Sequence, residues 1–591
     1  MYRKLFYPLF LLALAYLLFA SNDAKIIVSG IAIFLIGMFF MEDGFKLFSG
    51  GVLEKVLEKA TNTVPKAIGT GLVATSIVQS SSLISIIVIS FLSAELISLS
   101  GAIGVIFGSN IGTTTTAWIV SAFGVKIKIE YYALPMIIFG VIFKFSSNKT
   151  TQGLGFVLMG LGFVFLGIGY MKDGFETLKE GINLADFAME GYLGALVYIL
   201  IGVIATIVIQ SSSATLALII TALATNQITY LNGLELAIGA NIGTTVTAVI
   251  GALASNENGK RLAVAHFIFN IITAFVAVVF LYQLAQLVTV LSGKIGIDPT
   301  DYAMQLSLFH TIFNIIGVLI VAPFTHKLVA FLETLFINED QENIQRAKSL
   351  DTILADVPEA AMASIKKEVI HLYDNAVEVI SHALYLHRHT YINQEDIEMV
   401  VTKNIDKIET DIDQFYHDKI KYLYGDILSI TTKISTNMSE DQKQKMYSLK
   451  VACRDIVEAI KDVRELQKNI NIYIKSKNNY VKVEYNNFRV QIAKVINEIE
   501  QLKLKQNDAI ILSKVVAAKE HVEQIDMITN GKIDKLIREN LIDTTMATSL
   551  INDSNFSYDI AKRLLNVATV IWMVDYEMSR ALEDEESTYE N

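Results

Sequence analysis

Long apolar stretches dominate the first part of the chain, near 5–20, 26–41, 131–145, 152–170, 262–285 and 305–332. With a few flanking residues each approaches the ~20 that cross a bilayer as a helix. Arg3 and Lys4 precede the first stretch as in a signal peptide, but further apolar segments follow at once, so the pattern predicts an uncleaved first membrane helix. Two other blocks, 68–122 and 193–253, are apolar but interrupted by clusters of Gly, Ser, Thr, Asn and Gln. From about Asn338 the pattern changes. Charged residues abound, and apolar ones recur at threes and fours: Ile365, Val369, Leu372, Ala376, Val379, Ile380 and Ala383. Similar stripes near 396–427, 442–474, 483–505, 508–528 and 541–580 predict about six amphipathic helices in an antiparallel bundle. The chain is therefore expected to be all-α, with a polytopic membrane domain over 1–335 and a soluble helical bundle over 338–591.

The two interrupted blocks are copies. Gln79-Ser80-Ser81-Ser82 recurs as Gln210-Ser211-Ser212-Ser213, and Asn110-Ile111-Gly112-Thr113-Thr114 as Asn241-Ile242-Gly243-Thr244-Thr245, both at an offset of 131. Ala74-Thr75 matches Ala205-Thr206, and upstream Met41-Glu42-Asp43-Gly44-Phe45 matches Met171-Lys172-Asp173-Gly174-Phe175 at offset 130. The repeats cover about 26–145 and 156–276.

Charge refines this picture. Hydrophobic residues make up 52% of the 591 and charged residues 18%, below the ~25% of soluble proteins. Up to Leu335 there are 17 basic and 17 acidic residues, so the net charge of −11 falls wholly on the C-terminal region. Neither region has the basic patch that nucleic-acid binding requires. The single cysteine, Cys453, excludes an intrachain disulfide. If each Gln-Ser-Ser-Ser block is a re-entrant hairpin and the N-terminus is inside, one side collects 11 Lys/Arg and the other 6. The positive-inside rule favours that arrangement, which inverts the copies and makes the C-terminal region cytosolic. Inverted repeats with matched interruptions point to a transporter site at the midplane.

The clusters suit an anion. A broken helix in lipid needs protein or a cavity to satisfy its freed backbone. Breaks are expected at both motifs of each copy, with Gly108, Gly112, Gly239 and Gly243 permitting the unwinding. Each new helix N-terminus offers free N–H groups and a positive dipole end. No Lys or Arg lies in either motif, so a co-bound cation would balance the charge. Hydroxyl, amide and backbone carbonyl oxygens are hard ligands that suit sodium. Nothing in the motifs resembles the Asp, Glu or His chains of a proton relay.

These duplicated motifs resemble the type II sodium/phosphate cotransporter family, over roughly 26–330. The resemblance implies sodium-coupled transport of inorganic phosphate by alternating access. It places the substrate site at Gln79, Ser80, Ser81, Ser82, Gln210, Ser211, Ser212 and Ser213. Asn110, Thr113, Thr114, Asn241, Thr244 and Thr245 would complete the phosphate and sodium shell. His266-x-x-x-Asn270 and His310-x-x-x-Asn314 also resemble the family; each pair shares one helix face and reads first as a scaffold hydrogen bond, with a gate or outer-shell role as the alternative. Glu42, Asp43 and Asp173 read as helix-end contacts before ion binding, and Glu95 and Glu235 carry the same two readings. The glycines at 153, 155, 160, 162, 167 and 169 read as close helix packing.

In the C-terminal region, Leu350-Asp351, Leu354, Pro358 and Glu368-Val369 resemble the start of a PhoU-like domain. Glu458 and Asp462 stand in a Glu-x-x-x-Asp pattern that resembles the PhoU metal motif, with Asp406, Glu409 or Asp413 as further candidates for a divalent metal. The motif's arginine and glycine are missing, and exposed acidic helices carry the same spacing. No nucleophile–base pair or nucleotide loop suggests an enzyme. The expectation is a multi-pass inner (plasma) membrane carrier of phosphate and sodium, with a cytosolic regulatory bundle and a homodimer or cytosolic regulatory partner as candidate assemblies. The alternatives are phosphate efflux, another oxyanion carrier, or a phosphate-sensing transceptor.

Overall fold

The computed structural model describes residues 11–12, 14–49, 56–57, 60–124, 130–181, 184–189, 191–253, 255–336, 344–350, 357–392, 394, 396–405, 411–434, 438–503, 515–516, 518–519, 522–523 and 531–572. Most of the stretch expected as a helix near 508–528 lies outside the described residues, as do Asp351, Leu354, Asp406 and Glu409. The chain divides into two compact units, Met1–Asn338 and Glu339–Asn591.

The described residues of the first unit form helices joined by turns and short loops, with no strand among them. Its helices are α1 (Asn22–Ser49), α2 (Val64–Val78), α3 (Ser81–Ser93), α4 (Leu99–Gly112), α5 (Thr114–Ile119), α6 (Glu130–Lys144) and α7 (Lys149–Gly181). They are followed by α8 (Gly191–Ile209), α9 (Ser212–Ala224), α10 (Tyr230–Ala252), α11 (Glu257–Val279), α12 (Leu281–Lys294), α13 (Tyr302–Val321) and α14 (Thr325–Glu333). Among the described residues seven segments are long and apolar enough to cross a membrane. The apolar stretch at 131–145 forms only a 15-residue helix, α6.

Burial along α8 runs opposite to that of a soluble helix. Leu196, Leu200, Ile204 and Val208, spaced by four, are more than half exposed, while Ala195, Ile199, Gly202 and Thr206 are buried. An exposed apolar stripe beside a buried face that is mostly small is the pattern of a helix in lipid, where small residues make the helix–helix interface.

Glycine sets how closely the helices approach. On α1 and α7, Gly30, Gly37 and Gly44 meet the carbonyls of Gly167, Gly160 and Gly153; a Cβ on any of the three would lie 2.6–2.8 Å from the facing oxygen. Seven-residue steps keep these contacts on one face of each antiparallel helix. Gly155 and Gly162 turn to α6 instead, against the carbonyls of Gly140 and Ala133. The glycine pattern of α7 is thus two packing faces.

The second unit contains α15 (Pro358–Ala383), α16 (Tyr422–Ile434), α17 (Glu440–Tyr473), α18 (Asn479–Lys503) and α19 (Thr544–Trp572). Pro358 opens α15, where its missing N–H costs nothing. A Ser439–Gln442 capping box opens α17. All seven residues of the 365–383 stripe are fully buried. Arg489 is fully buried too, and its guanidinium donates to the carbonyls of Leu384 and Asn404 and to Asn486 Oδ1. Asp553, 1% exposed, accepts a hydrogen bond from the Tyr485 hydroxyl at 2.5 Å. Burial pushes its carboxyl up to about 6.

Two outcomes follow from this packing. Gly37→Ala and Gly160→Ala should each cost about 1–3 kcal/mol by overpacking. Gly69→Ala, where a Cβ meets nothing within 4 Å, should be neutral or stabilise by up to about 1 kcal/mol. Thermal midpoints in detergent check this. For Asp553 the folded-state pKa lies above the unfolded one, so its contribution is complete below about pH 4 and is lost as pH rises through about 6. Asp553→Asn should remove that slope and stabilise α18 and α19 at neutral pH, as read by hydrogen exchange of the full chain.

Candidate functional site

Each Gln-Ser-Ser-Ser block breaks a helix in the same way. Gln79 ends α2 and Gln210 ends α8, both left-handed at φ 59° and 58°. Their N–H groups close the preceding turn on Thr75 and Thr206 carbonyls at 2.7 Å. The next serine is extended and caps the following helix: Ser80 Oγ accepts from Leu83 N–H and Ser211 Oγ from Ala214 N–H, both at 3.2 Å. The next two residues, Ser81-Ser82 and Ser212-Ser213, begin α3 and α9, so their N–H groups lack intrahelical partners.

Both helix N-termini open onto one cavity. It has two lobes of ≈ 190 and ≈ 200 Å³ that share Ser81, Ser82, Gln210, Thr244 and Thr247. One lobe adds Gln79, Ser80, Ser211, Ser212, Ser213, Thr206 and Glu42; the other adds Ser85 and His266. Hydroxyls, amides and free backbone N–H groups therefore line part of the space, beside an apolar wall of Leu35, Met38, Phe39, Ile86, Ile89 and Ile209, and neither lobe is lined by Lys or Arg among the described residues. Two positive dipole ends and the neutral donors beside them are an arrangement that can hold an oxyanion.

A chain of hydrogen bonds ties the copies together. Ser213 Oγ donates to Thr116 Oγ1 at 3.4 Å, and Thr116 Oγ1 donates to Gln79 Oε1 at 2.8 Å. Gln79 Nε2 donates to Thr115 Oγ1 at 2.8 Å and to the Ser76 carbonyl at 2.5 Å. Gln79 is consequently buried, whereas Gln210 is an exposed cavity residue. Val246 stands at the position equivalent to Thr115, so the second copy lacks one of these clamping hydroxyls.

The Asn-Ile-Gly-Thr-Thr segments differ from the expected breaks. Helix α10 runs unbroken through Asn241–Thr245, and in the first copy only Thr113 separates α4 from α5, with helical dihedrals. The threonine hydroxyls bond back to the preceding turn: Thr113 to the Ser109 carbonyl, Thr114 to Ile111, Thr244 to Asn241 and Thr245 to Ile242. The glycines serve close packing instead of unwinding. A Cβ on Gly108 would lie 1.9 Å from the Ile68 carbonyl, and one on Gly239 2.0 Å from the Ile199 carbonyl.

Of the second group of expected site residues, Thr244 lines the cavity; Asn110, Thr113, Thr114, Asn241 and Thr245 do not line either lobe. Asn110 Nδ2 donates to the Ile106 carbonyl at 2.8 Å and lies 3.4 Å from His266 Nε2. Asn241 Nδ2 donates to Asn270 Oδ1 at 2.9 Å and Asn314 Oδ1 at 3.3 Å. The two His/Asn pairs, weighed above as scaffold, thus converge through their asparagines on the second copy. Thr206, Thr247 and Glu42 were not among the expected site residues. Each lay in a repeat match, Thr206 with Thr75, Thr247 with Thr116 and Glu42 in the Met41–Phe45 block, and Glu42 was read as a helix-end contact before ion binding; it is the packing of α8, α10 and α1 that brings them to the cavity.

In the second unit, Glu458 pairs with Lys461 at 2.7 Å and Asp462 with Arg563 at 3.3 Å. Asp413 pairs with Arg464 at 2.9 Å. Cationic side chains thus meet these carboxylates where a divalent metal would need further ligands, and no group of three or more candidate ligands forms among the described residues.

Residues 33–173 and 192–327 match the sequence profile described as Na+/Pi-cotransporter, one Gln-Ser-Ser-Ser in each segment, and the membrane domain of the chain belongs to that family. The Escherichia coli (strain K12) protein provisionally named inorganic phosphate export protein YjbB is 26% identical over 401 residues, covering 66% of this chain and 68% of its own. The uncharacterized Bacillus subtilis (strain 168) protein YqeW is 28% identical over 251 residues, covering 42% of this chain and 80% of its own. Human sodium-dependent phosphate transport protein 2B is 39% identical over 87 residues, 14% of this chain and 12% of its own. No solved structure matches the chain.

The two glutamines should respond differently to truncation. Gln79→Ala removes three hydrogen bonds around a left-handed residue and should cost about 1–3 kcal/mol of stability. Gln210→Ala, at an exposed position, should cost less than about 0.5 kcal/mol. Thermal midpoints of the two variants in one detergent check the difference.

Proposed function

We propose that the chain is a sodium-coupled carrier of inorganic phosphate in the plasma (inner) membrane, working by alternating access between two inverted repeats. The observation that carries this reading is the shared cavity: the N-termini of α3 and α9, one from each copy, face the same space. Phosphate would sit between them, held by Ser81, Ser82, Ser212 and Ser213 and by the Gln210 amide. Because the two hairpins belong to different repeats, a relative shift of the copies could expose this anion to either side without dismantling its shell.

Sodium would supply the charge that the donors do not. The side-chain oxygens of Asn270 and Asn314 meet at Asn241, and carbonyl oxygens of this kind suit a hard cation. The human relative's name supports sodium coupling. The charge asymmetry of the loops supports a cytosolic second unit, which would act as a regulatory bundle of the PhoU-like kind. A second reading is phosphate export, favoured by the match to YjbB, which extends over 401 residues. In either reading the task is transport, with no bond made or broken.

Radiolabelled phosphate flux in proteoliposomes tests this. An inward sodium gradient should accelerate uptake at least about tenfold over an equal potassium gradient, and an outward one should reverse the flux. Phosphate flux indifferent to sodium would leave a phosphate carrier and remove the coupling. No phosphate flux under any gradient would remove the carrier reading.

A further inference from the structure

The cavity holds one feature that an anion site does not need. Glu42, from α1, is the charged residue lining it. Its Oε2 accepts a hydrogen bond from Ser80 Oγ at 3.0 Å, while its Oε1 pairs with Lys46 at 2.9 Å. Ser80 Oγ also accepts from Leu83 N–H. The Ser80 proton is therefore directed to the carboxylate and away from the cavity. On this wall Glu42 and Ser80 present only lone pairs. The second copy is different: Lys172 stands where the first has Glu42 and pairs with Glu176 at 3.9 Å. Ser211 caps α9 as Ser80 caps α3, but among the described residues it donates to no carboxylate.

An ionised carboxylate can only accept. An oxyanion that carries a proton can donate to it; a fully deprotonated one meets it with charge against charge and lone pair against lone pair. Phosphate and arsenate carry a proton at neutral pH, whereas sulfate and selenate do not. We infer that the Glu42 carboxylate, held against Ser80, selects proton-bearing tetrahedral oxyanions and rejects sulfate-like ones. Size and shape cannot make this distinction, because phosphate and sulfate are nearly isosteric. The inference rests on the reading of the cavity as an oxyanion site.

Competition binding on the full chain in detergent tests it, with radiolabelled phosphate at neutral pH and arsenate, sulfate and selenate as competitors. A site built to bond a ligand hydroxyl rejects the analogue lacking it by ~10⁴- to 10⁵-fold. For the partly solvated Glu42, sulfate and selenate should need at least about 100-fold more than arsenate to displace phosphate. Glu42→Gln can donate as well as accept and should lower that ratio about tenfold or more. Lys46→Met keeps the carboxylate and should leave the ratio within about twofold. The inference is overturned if sulfate or selenate displaces phosphate from the wild type as readily as arsenate does. That series decides the matter even if Glu42→Gln fails to fold. It is overturned also if Glu42→Gln binds phosphate with the ratio unchanged, or if Lys46→Met lowers it equally. A wild type that binds no phosphate at any concentration removes the oxyanion-site reading and this inference with it.

Discussion

The hydrogen-bond chain from Ser213 through Thr116 to Gln79 is the link on which the site depends. A glutamine in the left-handed region costs energy relative to glycine. At Gln79 that cost is met by three side-chain bonds, two of them to α5. The same bonds fix where α3 begins, and so where its free N–H groups point. Through Thr116 they also reach α9, the matching helix of the other copy. The cavity is thus an outcome of one polar thread in an apolar domain, where an unpaired donor or acceptor is expensive.

The rest of the membrane domain keeps that thread in place by close contact. Gly108 and Gly112 let α4 meet α2; Gly239 and Gly202 let α10 meet α8. Each broken helix is therefore clamped to the helix carrying its Asn-Ile-Gly-Thr-Thr segment. The duplication that is visible as two motifs in the sequence is, in the structure, a single mechanical pair made twice: a broken helix and the glycine-bearing helix that holds it.

The position of both helix breaks could be read from the sequence because Gln-Ser-Ser-Ser is a local signal, a stop followed by an N-cap. The glycines of α7 were legible as packing faces for a similar reason: their spacing is a property of one helix. The Asn-Ile-Gly-Thr-Thr segments were harder. Glycine next to Ser and Thr fits either unwinding or tight packing, and the choice depends on whether another backbone lies against it, as Ile68 and Ile199 do here. Glu42 was hidden too. Its carboxylate looks like a helix-end charge until α1 is docked against the first hairpin, and nothing in its own neighbourhood of the sequence announces Ser80. In the second unit, the spacing of Glu458 and Asp462 could not reveal Lys461 and Arg563 as their partners, since the Arg563 contact is made across two helices.

The central claim is that the two copies hold one phosphate between them. Calorimetric titration of the purified chain with phosphate in the presence of sodium addresses it directly. The account expects one phosphate per chain, and it expects Ser82→Ala and Ser213→Ala each to weaken that same binding event. Two independent binding events, each altered only by the substitution in its own copy, would contradict it.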